Sequence, residues 1–98
     1  MKAVVLLKQK LTDADGDLWE LVVWKVPVDT RHPEGVRYRL AFIPRDYDRP
    51  AVLFDNHHPK GHHKHIEVAE SAYAFVDLKQ LIEDFQRTIA HWKKGRGN

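Results

Sequence analysis

The chain has 98 residues, of which 43% are hydrophobic and 31% charged, and its net charge is +2 when the histidines are neutral. This length and composition suit one globular domain, so we expect residues 1–98 to form a single domain. The lack of cysteine excludes disulfides and thiolate zinc sites, and no apolar run approaches the roughly 18 residues that a membrane-spanning helix needs.

The first half of the chain is typical of β-strands, which we place at residues 2–11, 18–26, 36–43 and 51–55. The first of them begins with an apolar run that is too short for a signal peptide, so we expect a cytoplasmic protein without a membrane partner. In the third, Tyr38 and Leu40 share one face, and the other face carries Arg37 and Arg39. The short connections between successive strands favour an antiparallel meander.

The C-terminal part predicts one long helix at residues 77–94. Asp77 is a suitable N-cap, and Gly95 is a suitable stop. Six apolar residues recur at helical spacing on one face: Leu78, Leu81, Ile82, Phe85, Ile89 and Trp92. We therefore predict an α+β fold in which an antiparallel β-meander of four to five strands packs against one long C-terminal helix.

A segment rich in histidine and lysine follows the last predicted strand. It reads Asp55-Asn56-His57-His58-Pro59-Lys60-Gly61-His62-His63-Lys64-His65. Its proline and glycine interrupt regular structure, so residues 56–65 are expected to form a loop. If the chain becomes extended at residue 63, His63 and His65 point to the same side, whereas their neighbours in sequence point to the other.

Three interpretations of this segment compete. In the first, histidines transfer protons during RNA cleavage, and Lys60 and Arg39 stabilise the charge that develops on the phosphate. In the second, three imidazoles bind zinc or another divalent ion together with Asp55. In the third, the segment is a solvated polar loop without a chemical role. Adjacent lysines repel a divalent cation, and the spacing matches no standard zinc motif, so the metal interpretation is the weaker of the first two.

Residues near this segment have supporting interpretations. Arg37 shares the polar face of the third strand with Arg39, and both can meet a phosphate or face the solvent. Asp55 can orient a histidine through its second ring nitrogen, or it can form an Asx-turn with Asn56. Three aromatic residues are expected to serve in packing rather than in base stacking: Trp19, Trp24 and Tyr38.

Four runs of sequence form a recognisable set. They are Tyr38-Arg39-Leu40, Phe54-Asp55-Asn56, Lys60-Gly61-His62-His63-Lys64-His65-Ile66, and Tyr73-Ala74-Phe75 ahead of the C-terminal helix. Together they resemble the TumE family of toxin–antitoxin proteins, over nearly the whole chain. The most specific run is the third, which contains the family's Lys-Gly-x-His-x-His pattern, while His57 and His58 lie outside it. The resemblance implies the toxin of a type II system, encoded beside a helix-turn-helix antitoxin.

Small toxins of this kind are often ribonucleases, so by analogy we predict a metal-independent endoribonuclease without a cofactor. The expected catalytic residues are Lys60, His62, His63 and His65, the expected phosphate- and RNA-binding residues are Arg37, Arg39 and Lys64, and the expected orienting residues are Asp55 and Asn56. The expected partners are RNA and the cognate antitoxin, and a homodimer is left open. The alternative is a non-catalytic module that binds nucleic acid or protein through its basic histidine-rich loop.

Overall fold

The computed structural model describes residues 3–96, which form one antiparallel sheet and one helix. The six strands are β1 Val4–Thr12, β2 Leu18–Lys25, β3 Val36–Ile43, β4 Val52–Asp55, β5 His63–Ile66 and β6 Ala69–Ala72, and the helix is α1 Leu78–Gly95. The strands lie in the sheet in the order of the sequence, and each is antiparallel to its neighbour. The predicted α+β fold, a β-meander packed against a C-terminal helix, is therefore confirmed.

The two faces of the sheet differ because the strands alternate apolar and polar side chains. On one face, Leu40 and Phe42 of β3 are fully buried in the core beneath α1. On the other face, Arg37 and Arg39 of the same strand are exposed. We call this second surface, which α1 does not cover, the open face of the sheet.

The apolar stripe of α1 closes the core on the covered face. Leu81, Phe85 and Ile89 are at most 1% exposed. The ring of Phe85 lies edge to face with those of Trp19 and Phe54, with centroids 5.7 Å apart in both pairs. Among residues 3–96, no helix combines the length and the apolar character that crossing a membrane requires.

Polar contacts fix both ends of α1. The helix begins as predicted, because the carboxylate of Asp77 accepts a hydrogen bond from the backbone N–H of Gln80 at 2.8 Å. The predicted stop is wrong by one residue, since Gly95 is the last helical residue and Arg96 is the C-cap, with a φ of −77°. No left-handed glycine is needed there, because the guanidinium of Arg96 bonds to the carboxylate of Asp17 at 2.8 Å and holds the helix end in place.

The turn between β1 and β2 contributes three carboxylates to this contact, from Asp13, Asp15 and Asp17. The Nζ atom of Lys93 lies 2.7 Å from oxygens of Asp13 and Asp15 and 3.4 Å from an oxygen of Asp17. The hydrogen bond from Arg96 outweighs the effect of burial and lowers the pKa of Asp17. The turn between β1 and β2 thus also clamps the C-terminus of α1 against the sheet.

The observed strands depart from the predicted bounds in several places. Residue 2 of the first predicted strand lies outside the described residues, and β1 begins at Val4 and ends at Thr12, one residue later than predicted. Strands β2 and β4 are each one residue shorter than predicted. The larger error concerns the predicted loop 56–65, whose last three residues belong to β5. Because β5 pairs with β4 on one side and β6 on the other, the described chain has six strands rather than four or five.

The β5–β6 hairpin escaped prediction because its turn lacks the usual residues. Glu67 has a positive φ of 56°, a conformation that normally favours glycine or asparagine. Its backbone N–H donates to the oxygen of Ala51 at 2.8 Å. Its carboxylate accepts hydrogen bonds from the hydroxyl of Tyr47 at 2.7 Å and from the indole of Trp92 at 3.0 Å. These tertiary contacts, which no local pattern reveals, hold Glu67 in the turn.

Candidate functional site

One row of polar side chains crosses the open face through three adjacent strands. Arg39 of β3 pairs in register with Asp55 of β4, and Asp55 pairs with His63 of β5. Directly paired residues of an antiparallel sheet point to the same side, so these three side chains share the open face. His65 follows two residues later on β5 and points the same way, as predicted, with its ring 5.0 Å from that of His63. We call these four residues the histidine row.

His63 is held at both of its ring nitrogens. Its Nε2 lies 2.9 Å from Oδ1 of Asp55, and its Nδ1 lies 2.8 Å from the backbone oxygen of Gly61. The oxygen of Gly61 accepts a hydrogen bond from Nδ1, whereas the contact between Nε2 and Asp55 is an ion pair, which is attractive when the ring is protonated. When the ring of His63 is protonated, the carboxylate of Asp55 balances its charge. Its side chain is only 7% exposed, which fixes the orientation of the ring.

The loop between β4 and β5 completes this arrangement. Gly61 has a φ of 71°, which residues other than glycine rarely adopt. Its carbonyl oxygen accepts the hydrogen bond from Nδ1 of His63. Oδ1 of Asp55 also accepts a hydrogen bond from the backbone N–H of His57 at 3.2 Å. The two roles considered for Asp55, an Asx-turn and an orienting contact to a histidine, therefore occur together.

His65 differs from His63 because one of its ring nitrogens has no partner. Its Nδ1 lies 3.9 Å from Oε1 of Glu70 on β6, and its Nε2 makes no hydrogen bond within residues 3–96. Both carboxylate oxygens of Glu70 accept hydrogen bonds from Nζ of Lys60 at 3.0 Å, which lowers the pKa of Glu70. With a side chain that is 30% exposed, His65 has the geometry to exchange a proton with a bound molecule.

His62 lies on the opposite side of the sheet, with both nitrogens bonded. Its Nδ1 is 2.9 Å from the hydroxyl of Tyr38, its Nε2 is 2.9 Å from Oε1 of Glu34, and its ring stacks on Phe75 at 4.7 Å. Burial raises the pKa of Tyr38, so the hydroxyl keeps its proton and donates to Nδ1. The hydrogen bond from His62 lowers the pKa of Glu34, whose carboxylate accepts from Nε2. This network anchors the histidine-rich loop, and a proton-transfer role for His62 stays a prediction.

Other residues named from the sequence occupy different surroundings. Lys64 pairs in register with the core residue Phe54, so its side chain lies on the covered face, away from the histidine row. Asn56 is buried, and within residues 3–96 its side chain makes no hydrogen bond to a histidine. Its amide accepts from the backbone N–H of Tyr38 at 3.0 Å and donates to the oxygen of Val36 at 2.8 Å, which fastens the start of the loop to β3.

Arg39 is the free cation of the histidine row. Its side chain is exposed, and no hydrogen bond or ion pair joins its guanidinium to another residue of the described range 3–96. Two clefts border the row. One, of about 330 Å³, is lined by Trp24, Arg37, Arg39, Asp55 and His57, and the other, of about 360 Å³, by Lys60, His62, His63 and Glu70. A phosphate at Arg39 would therefore have open space beside it, in the first of these clefts.

Two groups of side chains have the composition of a metal site: His63, His65 and Glu70, and Asp13, Asp15 and Asp17. Within each group, the candidate ligand atoms lie within 4.8 Å of one another. In the first group, the ammonium of Lys60 already bonds to both oxygens of Glu70. In the second, the ammonium of Lys93 lies between the carboxylates. A divalent ion would have to displace a lysine in either place, which disfavours both groups as metal sites.

Three partners of the histidines were not predicted from the sequence. Tyr38 is 2% exposed, as a core residue should be, but its hydroxyl bond to His62 was not anticipated. Glu34 lies 28 positions before His62, and no local pattern indicates a contact over that separation. Glu70 could be found only by recognising the β5–β6 hairpin, which places it directly opposite His65.

Residues 3–93 match the family model described as Toxin TumE. The match extends from the start of β1 into the last turns of α1 and includes the whole histidine row. Comparison with curated proteins gives no match, and neither does comparison with solved structures.

Proposed function

The chain belongs to the TumE family of toxins, and we propose that it is a metal-independent endoribonuclease that cleaves RNA on the open face of its sheet. Membership of a toxin family implies an antitoxin partner, which we propose to be a helix-turn-helix protein. We further propose that the toxin acts in the cytoplasm and needs no cofactor. Its assembly into a homodimer stays a prediction.

The observation that supports this proposal is the histidine row itself. It combines a free guanidinium at Arg39, an imidazolium held by Asp55, and an imidazole with an unoccupied nitrogen at His65. Metal-free cleavage of RNA needs a cation for the phosphate, a proton donor and a proton acceptor. The rings of His63 and His65 are 5.0 Å apart, a distance at which two charged rings repel each other. This supports one charged and one neutral ring at the same time.

The proposed reaction begins with attack of a ribose 2′-hydroxyl oxygen on the adjacent phosphorus. Nε2 of His65 takes the hydroxyl proton as the new O–P bond forms, which gives a 2′,3′-cyclic phosphate. The bond from phosphorus to the 5′-oxygen breaks, and the imidazolium of His63 gives its Nε2 proton, which exchanges the contact with Asp55 for the leaving oxygen, to that oxygen. Each such proton transfer commonly contributes about 10²–10⁴-fold to the rate.

The cations of the site have separate tasks in this proposal. Arg39 presents a planar fork that can bind two phosphate oxygens at once. Lys60 lies on the other side of the histidines, where its contact with Glu70 fixes its position. Both stabilise the negative charge that grows on the phosphate oxygens during the reaction.

One observation favours the second candidate function, a non-catalytic binding module. Both ring nitrogens of His62 and of His63 already have partners within the described residues, so His65 is the one of the three histidines predicted to be catalytic that keeps a free ring nitrogen. In a binding module, Arg39 and Lys60 would attract a polyanion, and loss of His65 would scarcely matter.

Growth of bacteria that express the chain tests the proposed function. The chain alone should arrest growth, and coexpression of its antitoxin should relieve the arrest. His65→Ala should abolish the arrest, whereas His91→Ala, at an exposed histidine of α1 outside the row, should not. High-level expression of the folded parent protein without any effect on growth would contradict toxin activity, and full arrest by His65→Ala would favour the binding module.

A further inference from the structure

The cleft of about 330 Å³ on the open face contains an aromatic ring that the proposed chemistry does not use. That ring belongs to Trp24 of β2. Trp19, on the same strand, packs against the core rings of Phe42 and Phe85. Trp24 lies on the opposite face and is only half-buried, and its ring contact is with the guanidinium of Arg37, 5.5 Å from the ring centroid. The packing role expected for Trp24 therefore does not involve the core.

The surroundings of Trp24 are positively charged. Arg37 pairs with Trp24 in register, and Arg39 follows two residues later on the same face. Lys8 of β1 also points to this face, because it pairs with Val22, which pairs in turn with Arg39. The carboxylate of Asp55 borders the cleft, but it is occupied by His63. The cleft therefore suits a flat ring attached to an anionic backbone.

The cleft is continuous with the histidine row, since both contain Arg39 and Asp55. The step from Arg37 to Arg39 along β3 is two residues, or about 7 Å in an extended strand. A phosphate held at Arg39 would thus bring a neighbouring base within reach of the indole. Duplex RNA hides the faces of its bases, whereas a single strand can place them on an aromatic side chain.

We propose that this cleft is a nucleobase subsite for single-stranded RNA, in which one base stacks on the indole of Trp24 beside the phosphate bound by Arg39. The subsite rests on the proposed function insofar as RNA is the substrate, but its binding role does not depend on cleavage. The guanidinium of Arg37, which lies 5.5 Å from the centroid of the indole, would move aside for the base and then make a favourable contact between its cation and the base.

Binding of a fluorescent 2′-O-methyl hexanucleotide tests the subsite, because that probe lacks the attacking hydroxyl and cannot be cut. Trp24→Ala should weaken its binding about 5- to 100-fold, in line with loss of one stacked base, while Trp24→Phe should retain most of the affinity. Arg37→Ala should weaken binding more than Lys79→Ala, which removes an equal charge from the exposed surface of α1. The denaturation midpoint of each variant reports whether it is folded.

A second measurement uses only the parent protein and so does not depend on the folding of a variant. The parent should bind an abasic oligomer of the same length and charge about 5- to 100-fold more weakly than the complete hexanucleotide, and should prefer the single strand to a duplex. Equal binding of the abasic oligomer, a preference for duplex, or parent-like binding by Trp24→Ala would overturn the proposal. A Trp24→Ala variant that binds RNA like the parent but loses affinity for the antitoxin would also overturn the proposal. If RNA binding depends on Trp24 but the RNA is never cut, the proposed subsite stands and the proposed nuclease activity is contradicted.

Discussion

Nε2 of His63 lies 2.9 Å from Oδ1 of Asp55, and the two side chains are only 7% and 16% exposed. The neighbouring carbonyl of Gly61 accepts a hydrogen bond from the other ring nitrogen, so both surroundings of the ring favour a proton on the nitrogen that faces them. A charged imidazole is thereby fixed on the open face, one strand away from Asp55 and two strands away from the guanidinium of Arg39.

Asp55→Asn should lower the rate of RNA cleavage about 10- to 100-fold, as loss of an orienting partner of a histidine commonly does. The amide keeps the size of the side chain but cannot balance the charge of His63. Single-turnover cleavage of a labelled RNA measures the effect, and Asp46→Asn, at a carboxylate that is 84% exposed, is the matched control. A parent-like rate for Asp55→Asn would mean that the pair only stabilises the fold.

Much of the fold could be predicted from local patterns. The alternation around Tyr38 and Leu40 defined β3, and helical spacing defined α1, because the core lies on one side of each element. The β5–β6 hairpin could not be found in this way. Glu67 occupies its left-handed turn only because partners from other elements hold it there.

The sequence predicted which segment contains the site, but not which of its side chains lie together or what they contact. The sequence singled out residues 60–65 but gave no means of separating His62 from His63 and His65. The difference arises from register and distant partners. Asp55 lies opposite His63 across the sheet, whereas Glu34, 28 positions away, reaches His62. Contacts of this range follow from the folded meander and leave no local signal.

Phe85→Ala should lower the free energy of unfolding by about 3–5 kcal/mol, since Phe85 is fully buried between the rings of Trp19 and Phe54. The denaturant midpoint measures the change. Val76→Ala, at a residue that is 70% exposed just before α1, should change it by less than about 0.5 kcal/mol. Equal midpoints for Phe85→Ala and the parent would show that the helix does not pack on the sheet as described.

The clamp at the end of α1 should depend on pH. The hydrogen bond from Arg96 lowers the pKa of Asp17 in the folded state, so ionised Asp17 stabilises the fold above its unfolded value of about 3.9. That stability is lost as the pH falls below this value and through the folded pKa. Asp17→Asn should therefore cost about 1.5–3 kcal/mol at pH 7, and the difference from the parent should shrink under strong acid.

Denaturation of both proteins at a series of pH values measures this difference. A matched series for Asp46→Asn, in which the carboxylate is well exposed, should show little change. A penalty for Asp17→Asn that stays constant down to about pH 2 would contradict the proposed role of its charge.

Cleavage should continue in excess EDTA, because Lys60 already occupies the carboxylate of Glu70 and Asp55 occupies His63. Rates measured with and without the chelator should agree within about twofold, well below the 10²–10⁴-fold that loss of a proton-transfer group costs. Loss of activity in EDTA, with recovery on addition of zinc or manganese, would instead favour a metal site at His63, His65 and Glu70.

We propose that the histidine row cuts RNA by proton transfer. Single-turnover cleavage by the parent, His65→Ala and His91→Ala tests this directly. We expect products with 2′,3′-cyclic phosphate ends and a cleavage rate whose dependence on pH is bell-shaped. His65→Ala should lower the cleavage rate about 10²–10⁴-fold, whereas His91→Ala should cleave at the parent rate. Affinity for RNA should change far less than the rate, because a neutral imidazole contributes little to phosphate binding. Cleavage by His65→Ala at the parent rate, or a parent protein that binds RNA and never cuts it, would contradict proton transfer by the histidine row.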